Sequence, residues 1–183
     1  MIEVNEYEIL TAMLTRSTEQ TRGATERELE KALKLSSRAS KVKLASLLAQ
    51  YAEYVAVLGL ELRYNPLDRH WFLSQRADLA NLLELDPFSG KTRLGATLLA
   101  LVTLAFAQGN PVDLESLRQV RKKAALTRDL DELEGMGFVR MDSGRKRVTL
   151  TPKVGYFCDL RELLEDLEHV ALSSDDPKDE DPS

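Results

Sequence analysis

Ser89-Gly90-Lys91-Thr92 is the stretch that comes nearest to a chemical site, because a glycine, a lysine and a hydroxyl in that order end a phosphate-binding loop. The full loop needs a glycine five positions before Gly90, so that backbone amides can wrap the phosphates. Leu85 occupies that position, and the segment before it reads as helix rather than strand. A linker followed by a helix start is the expectation. The two histidines, His70 and His169, are far apart, and neither has a cysteine or second histidine at ligand spacing. His70 is expected at a hairpin surface or edge. Cys158, beside Phe157, has no basic neighbour to lower its thiol pKa and reads as packed. It is the single cysteine, which excludes an internal disulfide and fits a reducing compartment. Glu162, Glu165, Asp166 and Glu168 look like an acid–base cluster but occupy the polar side of a leucine stripe, which makes them a solvated face. With no Ser/His/Asp order and no glycine-rich cradle, the chain reads as a non-enzyme without metal or cofactor.

Charge offers a second kind of chemistry. The formal net charge is −5, of which Ser173 to Ser183 carries −4, leaving a nearly neutral body. Lys31, Lys34, Arg38, Lys41 and Lys43 fall in a stretch from Lys31 to Gln50 that holds no acid. Arg63, Arg69 and His70 lie in the hairpin that follows, and Arg145-Lys146-Arg147 marks the tip of a later one. These are places where a protein could meet phosphates. Opposing that, Asp129, Asp131, Glu132 and Glu134 stand against Arg128 alone on the helix before the later hairpin, a poor face for a duplex.

The elements that would position these residues repeat one plan. Ile9, Leu10, Met13 and Leu14 have helical spacing. Thr25-Glu26-Arg27-Glu28 is a capping box that opens a short helix. Ser36, Ser37 and Ser40 offer caps for a third helix, whose apolar face reads Leu44, Leu47, Leu48, Tyr51, Val55 and Leu58 before Gly59 ends it. The period then changes to two: Leu60, Leu62 and Tyr64 alternate with Glu61, Arg63 and Asn65, and His70 to Ser74 return after a turn at Pro66 to Asp68. Arg76 to Leu85 reads as a trailing helix. The second pass begins with a nearly all-apolar helix through Leu94, Leu98, Leu101 and Ala105, expected to be buried on most sides. Asp113 caps a short helix, Leu126, Leu130 and Leu133 define a third, and Val139 to Leu150 form a hairpin turning at Ser143-Gly144. Leu160, Leu163, Leu164, Leu167 and Val170 stripe a closing helix, and the Asp/Pro/Ser-rich end reads as disordered. The fold class is therefore mostly α with small β-hairpins (α+β), as tandem winged helices. The first spans residues 1–85, a linker 86–92, the second 93–172, and the acidic tail 173–183. No apolar run approaches the roughly 20 residues that span a bilayer. The acidic N-terminus lacks a signal segment, so a cytoplasmic protein without membrane contact is expected.

Ala100-Leu101-Val102-Thr103-Leu104-Ala105-Phe106-Ala107, then Pro111-Val112, and later Leu150-Thr151-Pro152 with Gly155-Tyr156-Phe157-Cys158-Asp159-Leu160, resemble the segregation and condensation protein B family. The resemblance covers about residues 95 to 160 at motif level. The chain departs from the family at Arg121-Lys122, where a glycine usually follows the arginine, and at Pro152, where a threonine is usual. The resemblance implies a nucleoid-associated homodimer that binds the central region of the kleisin bridging the heads of an SMC ATPase. The kleisin would engage the second unit, while the first supplies much of the dimer contact. Leu101, Phe106, Tyr156 and Phe157 are the candidate partner residues. The alternative is a DNA-binding transcriptional regulator using Arg38, Lys41, Lys43, Arg145, Lys146 and Arg147. A clamp within a transcription or repair assembly is a third reading.

Overall fold

The computed structural model describes residues 5–18, 20–35, 40–76, 88–121, 126–160, 162, 163 and 165. The chain opens with α1, Glu6–Leu14, capped by Asn5, whose side chain accepts from the Tyr7 amide while Glu8 reaches back to the Asn5 amide. β1, Ala24–Thr25, leads into α2, Glu26–Ala32, and Thr25 and Glu28 form the capping box expected from their spacing. Because the Glu28 carboxylate accepts the Thr25 amide, its pKa falls to about 2. α3, Ser40–Ala56, is followed by β2, Leu60–Asn65, and β3, His70–Gln75. The sheet order is β1-β3-β2, antiparallel throughout, with Leu62 opposite Leu73 and Tyr64 opposite Trp71.

The second unit repeats this arrangement. α4, Thr92–Gln108, starts after a turn at residues 88–90, where the sequence suggests a linker. β4 is Val112–Asp113, and α5, Leu114–Val120, is capped by Asp113 as expected. α6, Leu126–Gly135, precedes the hairpin of β5, Val139–Met141, and β6, Arg147–Leu150. The order β4-β6-β5 matches the first sheet. A short helix, α7, Lys153–Phe157, stands where the motif reading expects only an aromatic segment. Of the described residues after it, Leu160, Glu162, Leu163 and Glu165 are helical, and Cys158 and Asp159 are not. The trailing helix after Arg76, the remainder of the closing helix, Arg38, His169 and the acidic tail lie outside the described residues.

The architecture is α+β, a pair of winged helices, each with its own core. Leu10, Leu14, Leu29, Leu44, Leu48 and Tyr51 fill the first, and Leu98, Leu101, Leu117, Leu130, Leu133 and Val148 fill the second. Leu58 and Tyr64, both expected on apolar faces, are exposed. α3 ends at Ala56, and the turn that closes on Gly59 (φ 73°) swings Leu58 out to solvent. Among the described residues no helix is long and apolar enough to cross a membrane.

Candidate functional site

Side chains on neighbouring strands share a face when they stand directly opposite each other. On the first sheet, Leu60, Leu62, Trp71 and Leu73 share one face and pack on the first core. The other face carries Glu61, Arg63, Asn65, His70 and Phe72, and alternation alone makes it a solvent face. It is covered instead. The second unit sets α7 and the residues after it against this face. Phe72, fully buried, meets Tyr156 edge to face at 5.0 Å. Asn65 Nδ2 donates to the Pro152 carbonyl at 2.9 Å, and its Oδ1 accepts the Leu67 amide at 3.1 Å. Gly155 leaves the space that Asn65 fills: a Cβ there would lie 2.0 Å from Asn65 Oδ1. The Tyr156 hydroxyl donates to Asp68 Oδ2 and accepts the Arg22 amide at 2.8 Å. Burial, reinforced by the Asp68 carboxylate, pushes the Tyr156 phenol up to about 12. Arg63 Nη2 reaches Asp159 Oδ2 at 3.2 Å.

This docking decides the fate of several candidate residues. Arg63, expected on a basic wing, is only 14% exposed and is paired with Asp159 and Glu61. His70, expected at the surface, is largely covered, with Nδ1 3.0 Å from the Asp68 carbonyl. Burial raises the pKa of Glu61 on the same face. Of the duplex-contact candidates, Lys43 pairs with Glu6 at 3.6 Å, and Arg145 reaches Asp131 at 2.8 Å and Glu134 at 3.9 Å. Lys41, Lys146 and Arg147 are exposed and have no carboxylate within ion-pair distance among the described residues. Lys41 stands at the rim of an apolar cleft of about 370 Å³ between α3 and the first sheet, lined by Ala45, Ala49, Leu62 and Trp71.

The acidic helix α6 is less acidic outside than its sequence suggests. Asp129 is 2% exposed and points inward, where Thr97 Oγ1 donates to its Oδ2 at 3.1 Å. Arg93 Nη2 lies 2.8 Å from its Oδ1 in an ion pair outside hydrogen-bond geometry. Lys91, the lysine of the loop-like stretch, is bound to Glu132 at 3.0 Å, and that contact holds the Glu132 carboxyl below its usual range. Cys158 packs against the second core. Among the described residues, no three His, Cys, Asp or Glu side chains cluster closely enough to hold a metal ion.

The candidate partner residues separate into two kinds. Leu101 is fully buried in the second core, and Tyr156 is buried between the units. Phe106 is 41% exposed and Phe157 is 39% exposed. α4 turns Leu99, Thr103 and Phe106 outward along one face, so Leu99, two positions before Leu101, is the leucine that reaches solvent. The residue-type pattern could not separate them, because both sit in an unbroken apolar run. On the first unit, Tyr54, Val57 and Leu58 are exposed together at the end of α3. Val57, at 88%, is almost free of packing.

No family model matches the chain, and no curated protein matches it. Among solved structures the chain is similar to a conserved hypothetical protein from Chlorobium tepidum, with 18% identity, a TM-score of 0.36, and coverage of 86% of this chain and 95% of that one. It is likewise similar to ScpB from Mycobacterium tuberculosis, with 22% identity, a TM-score of 0.34, and coverage of 91% of this chain and 98% of that one.

Proposed function

We propose that the chain is a non-catalytic scaffold. It works as a homodimer and holds the central region of a kleisin, and through it the SMC ATPase, in a chromosome condensation and segregation complex. The observation that carries this reading is how the surface is divided. The first hairpin's polar face is covered by the second unit, while apolar side chains at the end of α3 and along α4 are left in water. Apolar groups grouped on a surface mark protein contact more than phosphate contact. The motif resemblance over about residues 95 to 160 supports the same reading.

In this scheme the second copy meets Tyr54, Val57 and Leu58 of the first unit, and the kleisin meets the second unit, with Leu99 and Phe106 in contact. Sedimentation tests the first part: Val57→Glu with Leu58→Glu should convert a dimer into a monomer without unfolding it. An affinity pull-down from nuclease-treated native lysate tests the second. Recovery of an SMC ATPase with its kleisin is expected. Recovery of neither, with duplex fragments enriched when nuclease is omitted, would replace the scaffold with a regulator using Lys41, Lys146 and Arg147.

A further inference from the structure

The junction between the two units presents an exposed aromatic ring between two cations. Phe157 ends α7 and rests edge-on against the buried Phe138 at 5.5 Å, yet much of its ring faces water. Arg22 of the first unit stands over it, with Cζ 5.5 Å from the ring centre. Lys153 of the second unit approaches it with Nζ at 5.8 Å. The Arg22 backbone is tied to Tyr156 through its amide, and Lys153 Nζ donates to the Met136 carbonyl at 2.7 Å, while both residues remain exposed. Neither has a carboxylate within ion-pair distance among the described residues, whereas Arg16, Lys43, Arg63, Lys91, Arg93, Arg118 and Arg145 all do.

We infer that Phe157, Arg22 and Lys153 together receive an acidic segment of a partner protein, whose apolar side chain packs on the ring while flanking Asp or Glu residues meet the two cations. The inference rests on the scaffold reading only for the identity of the partner. Its chemistry comes from the site. Two exposed cations seated against one aromatic ring offer charge-assisted hydrogen bonds to carboxylates while an apolar side chain between them covers the ring. The anchoring of Lys153 to the Met136 carbonyl also lowers the entropy lost on binding. A duplex fits less well, because it asks for a row of cations along its phosphates, and here an apolar ring interrupts the charge. Since Arg22 comes from the first unit, the site is complete only while the units are docked.

The test uses the full chain with Phe157→p-benzoylphenylalanine, irradiated in native lysate, and the crosslinked segment sequenced by mass spectrometry. The expected product is a segment of another protein with an apolar residue flanked by acids. Binding of that purified protein should weaken about tenfold with Arg22→Glu or Lys153→Glu, the effect of one lost charge-assisted contact. Reversing the segment's acids to lysine should restore binding to the Arg22→Glu chain. Arg22→Gln, which removes only the charge, should show a smaller loss in the same direction and gives the reading if the reversal unfolds the protein. Crosslinks to a basic or uncharged segment, to nucleic acid, to residues 173–183 of the same chain, or to nothing would each overturn the inference. If kleisin is recovered but crosslinks elsewhere, this site fails and the scaffold stands. An acidic segment from a protein unrelated to chromosome organisation would leave the site standing and remove the scaffold.

Discussion

Gly155→Ala puts two opposed effects on one atom, and their magnitudes decide the sign. Gly155 is inside α7, where replacing glycine by alanine ordinarily stabilises a helix by about 1 kcal/mol. Against this, the new Cβ would lie 2.0 Å from Oδ1 and 2.5 Å from Cγ of Asn65. A flexible surface side chain would step aside, but Asn65 is fully buried and held at both ends of its amide by Pro152 and Leu67. Displacing it leaves the Leu67 amide without its partner, at about 1–3 kcal/mol, and breaks the Asn65–Pro152 hydrogen bond, at about 1 kcal/mol, although the Pro152 carbonyl keeps the Gly155 amide. The clash therefore wins, with a net loss of about 2 kcal/mol. Urea unfolding of the full chain, followed by fluorescence of the single tryptophan Trp71 and by far-UV circular dichroism, should show a lower midpoint by both probes. Asn65→Ala supplies the control: in that background the clash is gone, and Gly155→Ala should become neutral or mildly stabilising. A single Gly155→Ala variant more stable than the parent would refute the packing of Asn65 against α7, and with it the docking of the two units.

Three further outcomes follow from the same contacts. The Tyr156 pKa rises from 10.0 to about 12, so docking favours the neutral phenol; its contribution is intact below pH 10 and is lost as pH climbs towards 12. Tyrosinate absorbance should show a late-ionising step that Tyr156→Phe removes. Glu28 behaves in the opposite sense: its pKa falls from 4.5 to about 2, so its contribution is present above pH 4.5 and is lost as pH drops towards 2. Glu28→Ala should lower stability by about 1 kcal/mol at neutral pH, with the gap to the parent closing over that acid window in thermal melts. Any duplex binding through the second wing alone would neutralise few phosphates. The slope of log affinity against log salt should then be about −3 or shallower, and a slope near −8 would point to a much larger basic surface.

The arginines illustrate why ion pairing by itself does not settle what a surface binds. Arg145 pairs with Asp131 and Glu134, but its side chain is 55% exposed. An exposed pair is worth at most about 1 kcal/mol, so a phosphate could compete for Arg145. Arg63 is different because its surroundings are covered. It lies against Phe72, with Cζ 5.9 Å from the ring centre, and is bound to Asp159 beneath the second unit. To reach a phosphate it would have to leave both contacts and the units would have to part. Packing thereby withdraws Arg63 from a duplex, whereas Arg69 in the turn of the same hairpin is exposed, and Arg145 is only discouraged by charge.

How much of this was legible depends on whether a pattern has one physical cause or two. Thr25 and Glu28 at capping-box spacing have one, and the helix begins where they say it does. The run from Leu98 to Ala105 likewise fixes a buried helix, but within it the five successive apolar residues Leu98 to Val102 cannot by type alone say that Leu101 faces in and Leu99 faces out. The polar residues Glu61, Arg63 and Asn65 have two possible causes, because water and a polar interface select the same side chains on a sheet face. The strand opposite them held the distinguishing sign. Trp71-Phe72-Leu73 puts apolar side chains on both faces in succession, the mark of a strand covered on two sides. With Phe72 requiring cover, a second layer had to lie on the polar face, and Gly155 beside Tyr156 has both the missing Cβ and the aromatic ring to fit against it.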